Sequence, residues 1–444
     1  MQEYNADFHL HGPHSIGVSK DMDLPHMVHG AKQKGLDLVA TGDCLHPTWL
    51  KHLKDNLEQD HGCLRYKDTC FILQTEVECE ESVHHVILLP DYQAIDELVA
   101  AFKPFSKNIE HEWGGRPRVN LSPPAIVECV MSVGGLIGPA HAFTPFKSIF
   151  RQGKFDSLED AYEEEAKHVH FIELGLSANS EYADRISGLH GLTFMSNSDA
   201  HSPTPQSLGR EFNTLVSEGC NFDEVHLAIM RKDGRRFTRN VGMSPKLGKY
   251  NTLFCHSCRR RIIIRRSENS LPIMDKIKIS DDLILHPVNS KKEYKQYLKS
   301  VDAKRIKCPA CQLEGKKSRI KLGVSERVAL LADQLPGTHP EHRPPYINAI
   351  PLPEIIRVSM GIKSKSSKTL QKAYNACIST YGPEIYILLT MDMEDMRKSH
   401  FQDQFPRYPQ LFQNIAGIIE SFRRDEIQFK PGGGGTYGEL VFNT

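Results

Sequence analysis

The sequence predicts an α/β fold with a parallel sheet, then a cysteine-containing basic module and a mainly helical C-terminal region. Short apolar runs that suit strands alternate with helix-like segments over residues 1–241, as in proteins with helical crossovers. Polar side chains follow the ends of these runs. Two Cys-x-x-Cys pairs then lie in a stretch rich in lysine and arginine.

The composition bounds the possible classes of protein. The chain has 444 residues, of which 39% are hydrophobic and 25% charged, and its mean hydropathy is -0.41. This is a soluble composition, long enough for two or three domains. The sequence contains no apolar run of about 18 residues, so we expect no membrane span. The N-terminus lacks the pattern of a secretory signal, so the cytoplasm is the expected location.

The net charge of zero hides an asymmetry along the chain. Residues 250–321 contain 18 Lys or Arg against 7 Asp or Glu, so this segment is strongly basic. Such an imbalance predicts a polyanionic partner. The eleven cysteines are an odd number, which argues against a disulfide framework.

The first strand predicts a metal site. His9 and His11 lie two residues apart in an extended run, so their imidazoles share a face and can bind one ion. This pattern alone is weak, because surface histidines produce it often. Asp199 and His201 repeat the spacing after the apolar run 192–195. Two such pairs can close on one site.

The helix that follows has clear boundaries. Asp23 suits the N-cap, Pro25 the first turn and Gly35 the position after the helix, which we expect to run to about residue 34. The next strand, 36–41, ends near Asp43 and His46.

Further strand ends supply more ligand candidates. Residues 69–75 lead to Glu76, and residues 134–140 lead to His141. His84 and His85 are neighbours on a strand and must face opposite ways. We expect His85 to face the site, at a local change of strand direction, and His84 to point away.

The candidates are too many for one ion, so we expect two or three, with Glu76 as the bridging carboxylate. The set is His9, His11, Asp43, His46, Glu76, His85, His141, Asp199 and His201. His14 remains an open candidate. Glu173 is either a partner of a metal-bound histidine or an ordinary buried glutamate.

The basic segment follows a Gly/Pro/Lys linker at 242–252. Cys255, Cys258, Cys308 and Cys311 can supply four thiolates to one structural zinc ion, with residues 259–297 forming an insertion between the pairs. The flanking cations are either a solvated face or contacts to nucleic-acid phosphates, which we favour. They are Arg259, Arg260, Arg261, Arg265, Arg266, Lys316 and Lys317.

The remaining chain predicts helices over 323–332, 369–377, 383–391 and 414–422, with a proline-rich extended stretch at 336–353. The glycine run at 431–438 lacks the lysine of a phosphate-binding P-loop. It is either a flexible tail or a loop that approaches the backbone of a ligand.

Residues 1 to about 240 resemble the PHP superfamily, the polymerase and histidinol phosphatase domain. The resemblance rests on His9-Leu10-His11, Thr41-Gly42-Asp43, Glu76, His85, His141 and Asp199-Ala200-His201. It implies a distorted (β/α)7 barrel with a multinuclear metal site for phosphoester hydrolysis, in which His9, His11, Glu76 and Asp199 are the central catalytic residues. One departure is Cys44, where many members carry histidine.

The resemblance also implies how the ligands divide among the metals. The first ion takes His9, His11, Glu76 and Asp199. The second takes Glu76, His85 and His141. The third takes His201 with Asp43 and His46, where His46 substitutes for the histidine missing at position 44. Zinc is the expected metal, with magnesium or manganese as alternatives.

The whole architecture resembles the endonuclease Q family. The similarity rests on residues 41–47, residues 245–250, the paired cysteines and the glycine-rich tail. It implies a damaged-DNA endonuclease that cuts 5′ to deaminated bases (hypoxanthine, uracil, xanthine) and abasic sites. It also implies a PHP domain at 1–241, a linker at 242–252, a zinc and DNA-contacting domain at 253–322 and a helical domain at 323–444.

Three other functions stay open: a small-molecule phosphatase, a non-catalytic DNA-binding scaffold and an exonuclease. A phosphatase would leave the zinc module and the basic segment unexplained, and the complete set of ligands argues against a scaffold. Some archaeal relatives bind a sliding clamp, but this C-terminus shows no clear clamp-binding peptide.

Overall fold

The computed structural model of the protein describes residues 1–60, 62–266, 277–364, 367–398 and 404–441. Its first part alternates strands and helices. The strands are β1 (Gln2–Asp7), β2 (Leu38–Ala40), β3 (Glu58–Asp60), β4 (Cys63–Tyr66), β5 (Thr69–Glu78), β6 (His84–Leu89), β7 (Leu136–Pro139), β8 (Phe171–Glu173), β9 (Thr193–Met195), β10 (Phe212–Ser217) and β11 (Arg236–Gly242). The helices are α1 (Leu24–Lys34), α2 (Pro47–Asn56), α3 (Tyr92–Phe102), α4 (Pro123–Ser132), α5 (Leu158–Tyr162), α6 (Ser180–Ala183) and α7 (Phe222–Met230).

Seven of these strands form a distorted barrel. β1 pairs in parallel with β2, which pairs in parallel with β5. β6 is antiparallel to both β5 and β7, and β8 pairs in parallel with β9. The backbone N–H of His11 donates to the carbonyl of Ala200, 3.1 Å away, and so joins the chain after β9 to the chain after β1. The predicted barrel and the change of strand direction at β6 are therefore confirmed.

Local sequence accounts for the helix boundaries. The Asp23 carboxylate accepts a hydrogen bond from the N–H of His26 and caps α1, and Gly35 ends it with φ of 89°. In α2 the imidazole of His46 accepts from the N–H of Trp49 and Pro47 occupies the first turn. The predicted limits of α1 are correct.

The zinc module has a small sheet of its own. It contains β12 (Phe254–Cys255), β13 (Arg261–Arg266), β14 (Lys278–Ile279), β15 (Leu283–Val288) and β16 (Ile320–Lys321), together with α8 (Lys291–Asp302) and α9 (Pro309–Leu313). The insertion expected between the cysteine pairs supplies β13, β14, β15 and α8. Residues 267–276 of that insertion lie outside the described residues.

The last part of the chain is mainly helical, as predicted. Its elements are α10 (Val324–Leu331), β17 (Tyr346–Asn348), α11 (Leu352–Ser359), α12 (Lys368–Tyr381), α13 (Glu384–Leu389), α14 (Met393–Arg397), α15 (Leu411–Arg423), β18 (Gln428–Lys430) and β19 (Glu439–Val441). β17 lies in the proline-rich stretch and pairs in parallel with β11, which extends the barrel sheet. No helix in the described part of the chain is long and apolar enough to span a membrane.

Candidate metal centre

One group of potential ligands combines residues that follow the first and the last strand of the barrel, β1 and β9. The ligand atoms of His9, His11 and Asp199 all lie within 4.8 Å of one another. Nε2 of His11 is 3.0 Å from Oδ1 of Asp199, and Nε2 of His9 is 3.9 Å from the same oxygen. The chain thus brings the first pair that sequence spacing suggested together with Asp199 of the second, from positions nearly two hundred residues apart.

A second group lies beside the first. It consists of Glu76, His84 and His141, whose ligand atoms also lie within 4.8 Å of one another. Oε1 of Glu76 is 2.9 Å from Nδ1 of His84 and 3.1 Å from Nε2 of His141. The Glu76 oxygens lie 3.8 Å from Nε2 of His9 and 3.7 Å from Nε2 of His11. Glu76 therefore stands between the two groups, where a bridging ligand is needed.

The structure reverses the expected roles of His84 and His85. In the antiparallel pairing of β5 with β6, Glu78 lies opposite His84 and Val77 lies opposite His85. Opposite residues share a face, and Glu76 shares the face of Glu78 because they are two residues apart. His84 consequently faces the site.

His85 faces the interior on the other side of the sheet. Its Nδ1 lies 3.0 Å from the Tyr162 hydroxyl, and burial together with the neighbouring His84 lowers its pKa to about 3. The expectation that His85 contributes a ligand and that His84 points away does not match this geometry.

The residues expected to hold a third ion do not form a ligand group in the described part of the chain. Oδ1 of Asp43 lies 3.1 Å from Nδ1 of His11, and Oδ2 accepts from the N–H of Gly12 at 2.6 Å. Nε2 of His46 lies 3.1 Å from the carbonyl of His111. Asp43 thus orients a ligand, while His46 supports a loop.

His14 and His201 flank these groups. The ring of His14 stacks on that of His46 at 4.1 Å between centroids, and the ring of His201 lies 4.6 Å from that of His11. Nδ1 of His201 is 3.7 Å from Oδ1 of Asp199. His201 is therefore at the rim of the site, and His14, in the loop after β1, packs against the ring of His46.

Glu173 holds two of the histidines in place. Nδ1 of His9 lies 3.0 Å from each carboxylate oxygen of Glu173, and the backbone N–H of His141 donates to Oε2 at 2.7 Å. A carboxylate that binds the far nitrogen of a metal-bound histidine fixes its orientation and raises its basicity. Of the two interpretations of Glu173 that sequence allowed, the geometry favours this one.

The backbone at the centre adopts conformations that L residues rarely adopt. Asp43, His141 and Asp199 have φ of 44°, 31° and 48°. Such left-handed conformations cost free energy and cluster at functional sites, where packing enforces them. Gly42, next to Asp43, has φ of 65°, and a Cβ there would lie 2.8 Å from the carbonyl carbon of His11, so only glycine fits this close approach.

The carboxylates of the site favour positive charge on its histidines. Burial opposes charge on His9, yet Glu173, Asp199 and Glu76 together raise its pKa to about 9. For His11, Asp43 and Asp199 overcome the same opposition and raise the pKa to about 10. Divalent ions would gain from the same field.

The donor set fits divalent metal ions. Nε2 of His9 is buried with no hydrogen-bond partner in the described structure, although it points toward the carboxylates of Asp199 and Glu76. A buried ring nitrogen without a partner is costly unless something binds it. Imidazole with carboxylate is a common ligand set for zinc and manganese.

Sequence reasoning missed the cations beside the ligands. Nη1 of Arg116 lies 3.1 Å from Oε2 of Glu76, and Nζ of Lys147 lies 2.6 Å from Oε1 of Glu78. Both line a cleft of about 1570 Å³ next to the ligand groups. Arg116 belongs to a long loop without a strand-end pattern, so only its tertiary position reveals it.

The four cysteines of the basic module come together as predicted. Their sulfur atoms all lie within 4.8 Å of one another, with Cys255 at 3.6 Å from Cys311 and Cys258 at 3.8 Å from Cys308. Burial opposes ionisation of Cys255, but hydrogen bonds from the backbone N–H groups of Cys258, Ser257 and Arg319 lower its pKa to about 7. Burial raises the pKa of Cys308 to about 11 and also raises that of Cys311, so the second pair does not share the lowered pKa of Cys255. The convergence of the four sulfur atoms is what fits a closed, tetrahedral zinc site.

Several cations expected to contact DNA are paired within the protein. Arg260 lies 3.2 Å from Glu314, Arg261 lies 3.3 Å from Asp282, and Lys316 lies 2.8 Å from Glu314. Arg259 and Lys317 form no ion pair within the described part of the chain, and the side chain of Arg266 lies outside it. Arg265 has internal interactions as well.

These features define the class of protein. A distorted (β/α)7 barrel carries two adjoining histidine and carboxylate groups at one rim, and a four-cysteine module follows it. This is the architecture of a metal-dependent hydrolase of the PHP class.

Comparisons with known proteins identify the family. The lesion-specific endonuclease PfuEndoQ from Pyrococcus furiosus is 35% identical, with a TM-score of 0.81 over 99% of this chain and 96% of that one. An endonuclease Q bound to a 27-mer duplex with an abasic lesion at its active site is 34% identical, with a TM-score of 0.81 over 99% and 97%. The chain belongs to the endonuclease Q family.

Two further matches concern the sequence. The family described as the MJ0043 C-terminal domain matches residues 351–403. The uncharacterized protein MJ0043 of Methanocaldococcus jannaschii is 34% identical over 309 residues, which are 68% of this chain. That match spans only 31% of the archaeal protein, so the relative is much longer than the shared region.

Proposed function

We propose that the protein is a metal-dependent DNA repair endonuclease that hydrolyses the phosphodiester 5′ to damaged nucleotides. The damage includes deaminated bases (hypoxanthine, uracil, xanthine) and abasic sites. The observation that carries the proposal is the full-length similarity to a lesion-specific endonuclease, combined with the two ligand groups that meet at Glu76. The acceptance of each base remains a prediction.

The metal ions would be held by the two groups described above. His9, His11 and Asp199 form one, and Glu76, His84 and His141 form the other, with Glu76 able to serve both. Bound there, divalent ions supply hydroxide at neutral pH and neutralise charge on the reacting phosphate. Two ions, zinc or manganese, are what the observed groups best accommodate.

The chain's own side chains position the ligands and the substrate. Glu173 and Asp43 fix the rings of His9 and His11 through their Nδ1 atoms. Arg116 and Lys147 present cations at the edge of the cleft, where a phosphate of the DNA backbone would be bound. A damaged nucleotide pairs and stacks poorly, so extruding it toward the cleft costs less than extruding an intact one.

The remaining assignments follow from this function. A structural zinc ion in the four-cysteine group would hold the basic module, and Arg259 and Lys317 are its best candidates for phosphate contacts. The domain limits at residues 241, 252 and 322 and the cytoplasmic location stay predictions. A sliding clamp stays an open candidate partner, for which the sequence shows no clear binding peptide.

A nicking assay tests the proposal. A 5′-labelled duplex with one deoxyinosine, and a second with one abasic site, would be incubated with the protein and Mn²⁺ or Mg²⁺. We expect a single nick on the 5′ side of each lesion and none in an undamaged duplex. Asp199→Asn should abolish it, whereas Asp223→Asn, which changes an exposed aspartate at the start of α7, should not.

Other products would assign another function. Hydrolysis of a small phosphomonoester with no nick on either lesion would contradict the proposal and favour the phosphatase. Stepwise shortening from a labelled end would favour the exonuclease. Nicking that survives Asp199→Asn would retain the activity but refute the assignment of its site.

A further inference from the structure

An aromatic ring with no obvious role in metal binding lies at the mouth of the metal centre. Phe146 is 39% exposed and lines a cavity of about 220 Å³ together with Arg116, His141 and Asp199. The Thr144 hydroxyl donates to the carbonyl of Phe146 at 2.9 Å and so fixes the turn that carries it. A single exposed phenylalanine is ordinary, so the significance of Phe146 depends on its place beside the ligand groups and on its neighbours.

The Phe146 ring belongs to a row of aromatic and lysine side chains. The Phe146 ring lies 5.3 Å from that of Tyr250, and Nζ of Lys321 lies 5.6 Å from the Phe146 centroid. Nζ of Lys249 then lies 5.6 Å from the ring of Tyr250 and 5.0 Å from that of Tyr437. We call these five side chains the aromatic–lysine ladder. It runs from the metal centre to the zinc module and the C-terminal tail.

The glycine-rich tail places the last ring of the ladder. The backbone N–H groups of Gly432, Gly435 and Gly438 donate to the carbonyls of Lys246, Lys249 and Leu247, so the tail packs against the linker. Residues larger than glycine would not fit at Gly432 and Gly438.

The close approach explains the glycines. A Cβ on Gly432 would lie 2.6 Å from the carbonyl oxygen of Gly248, and one on Gly438 would lie 2.6 Å from that of Lys430. The packing leaves Tyr437 46% exposed beside Lys249. The tail is thus a built part of this surface.

The surroundings of the ladder favour an anion. Burial lowers the pKa of Lys321, and the nearby charges of Arg319, Lys304 and Arg151 lower it further. These neighbouring cations repel one another, and a bound phosphate backbone would relieve that repulsion.

We propose that the aromatic–lysine ladder binds an unpaired strand of nucleic acid that leads to the metal centre, with bases stacked on Phe146, Tyr250 and Tyr437 and phosphates near Lys321 and Lys249. Aromatic rings interleaved with cations are how proteins bind single strands without regard to sequence, because every base has a stacking face. Phe146 and Tyr437 are exposed, and Tyr250 is half-buried between Phe146 and Phe254. This inference rests on the proposed nucleic-acid substrate and deepens it, since it specifies a single-stranded segment next to the cut.

Binding measurements on the full chain test the ladder. The Asp199→Asn protein, in buffer with EDTA so that no strand is cut, would be titrated against a 5′-fluorescein-labelled oligo(dT) 20-mer and a labelled 20-bp duplex without lesions. Adding Phe146→Leu or Tyr437→Leu should weaken single-strand binding by at least about fivefold, as expected for the loss of one stacked base. Duplex binding should change less than about twofold.

Two further variants separate stacking from folding. Phe146→Trp keeps a stacking ring and should retain single-strand affinity. Tyr386→Leu alters another exposed ring, on α13 and outside the ladder, and should change nothing.

Unchanged single-strand affinity in both ladder variants would overturn the inference, and so would equal weakening for strand and duplex. These outcomes are independent of cutting. A wild type that nicks lesions while its ladder variants bind normally would contradict only the ladder. A wild type that binds strands through the ladder but cuts no lesion would contradict only the proposed function.

Discussion

Nδ1 of His9 lies 3.0 Å from both carboxylate oxygens of Glu173, so the ring nitrogen on the far side is aimed at the carboxylates of the metal centre. The same glutamate accepts a hydrogen bond from the backbone of His141, a residue of the second group. One buried carboxylate therefore orients ligands in both groups without entering either.

Replacing Glu173 should weaken metal binding without removing a ligand. Glu173→Gln keeps the size of the side chain but loses the charge that holds the His9 imidazole, and we expect an affinity or activity loss of about 10- to 100-fold. Nicking rates would be measured against Mn²⁺ concentration, with partial recovery at high Mn²⁺. Glu164→Gln is the control. A Glu173→Gln enzyme with unaltered metal dependence would argue against this role.

His84 and His85 give a sharper test, because they are adjacent and chemically identical. His84→Ala removes a ligand candidate and should lower activity by more than about 100-fold, a larger effect than loss of a ligand's partner. His85→Leu should leave the metal content unchanged. It should leave the buried Tyr162 hydroxyl without its hydrogen-bond partner, which should lower the free energy of unfolding by about 1–3 kcal/mol. Metal analysis and thermal unfolding of both variants would decide. Loss of metal in His85→Leu alone would restore the assignment made from sequence.

The pair also shows what the sequence could and could not predict. Periodicity showed that only one of the two histidines could face the site, but not which one. That choice depends on how β6 aligns with β5, and a turn of a few residues between them sets it. Glu76 and Glu78 share a face of β5, and His84 lies opposite Glu78 on β6. Once this pairing is known, it follows that His84 is the histidine that faces the site.

Other features followed from sequence to different extents. His9, His11, Asp199 and the four cysteines were predictable because their spacing reflects local geometry. Asp43 was predicted as a metal ligand, but its contact with Nδ1 of His11 is tertiary, and no local pattern marks it. Arg116 was not recognised at all, since no periodic pattern marks its loop.

The four-cysteine group predicts a specific loss of zinc. Cys255→Ser should lower the zinc content by one ion per chain and weaken binding to undamaged duplex, because the basic module needs the metal to fold. Hydrolysis of a small phosphodiester at the barrel should persist. Cys129→Ser, at a half-buried position on α4, serves as the control. Full zinc retention by Cys255→Ser would rule out this site.

A buried ion pair joins the helical region to the barrel. Nζ of Lys34 lies 2.8 Å from Oε1 of Glu384, and their side chains are 1% and 2% exposed. Lys34→Met leaves the carboxylate buried without its cation, which should cost about 3–5 kcal/mol in urea unfolding. Lys51→Met, which breaks an exposed pair with Asp55, should cost less than about 1 kcal/mol. Equal costs for the two variants would mean that Lys34 does not stabilise this contact.

Glu211 should make stability depend on pH. Its side chain is fully buried, with Oε1 accepting from the N–H of Met243 at 2.9 Å and Oε2 unpaired in the described structure. Burial raises its pKa from 4.5 to about 8. Between these values the folded protein holds a proton that the unfolded chain releases, so stability falls as pH rises, by up to about 1.4 kcal/mol per pH unit.

Glu211→Gln should remove this slope, because the amide stays neutral and keeps the hydrogen bond to Met243. Urea unfolding at pH 5.5, 6.5, 7.5 and 8.5 would compare the variant with the wild type, and Glu341→Gln at an exposed position would correct for general effects. We expect the two curves to separate progressively up to pH 8, with the variant more stable. Parallel curves would show that Glu211 is already ionised in the folded protein, and that an unobserved partner compensates its burial.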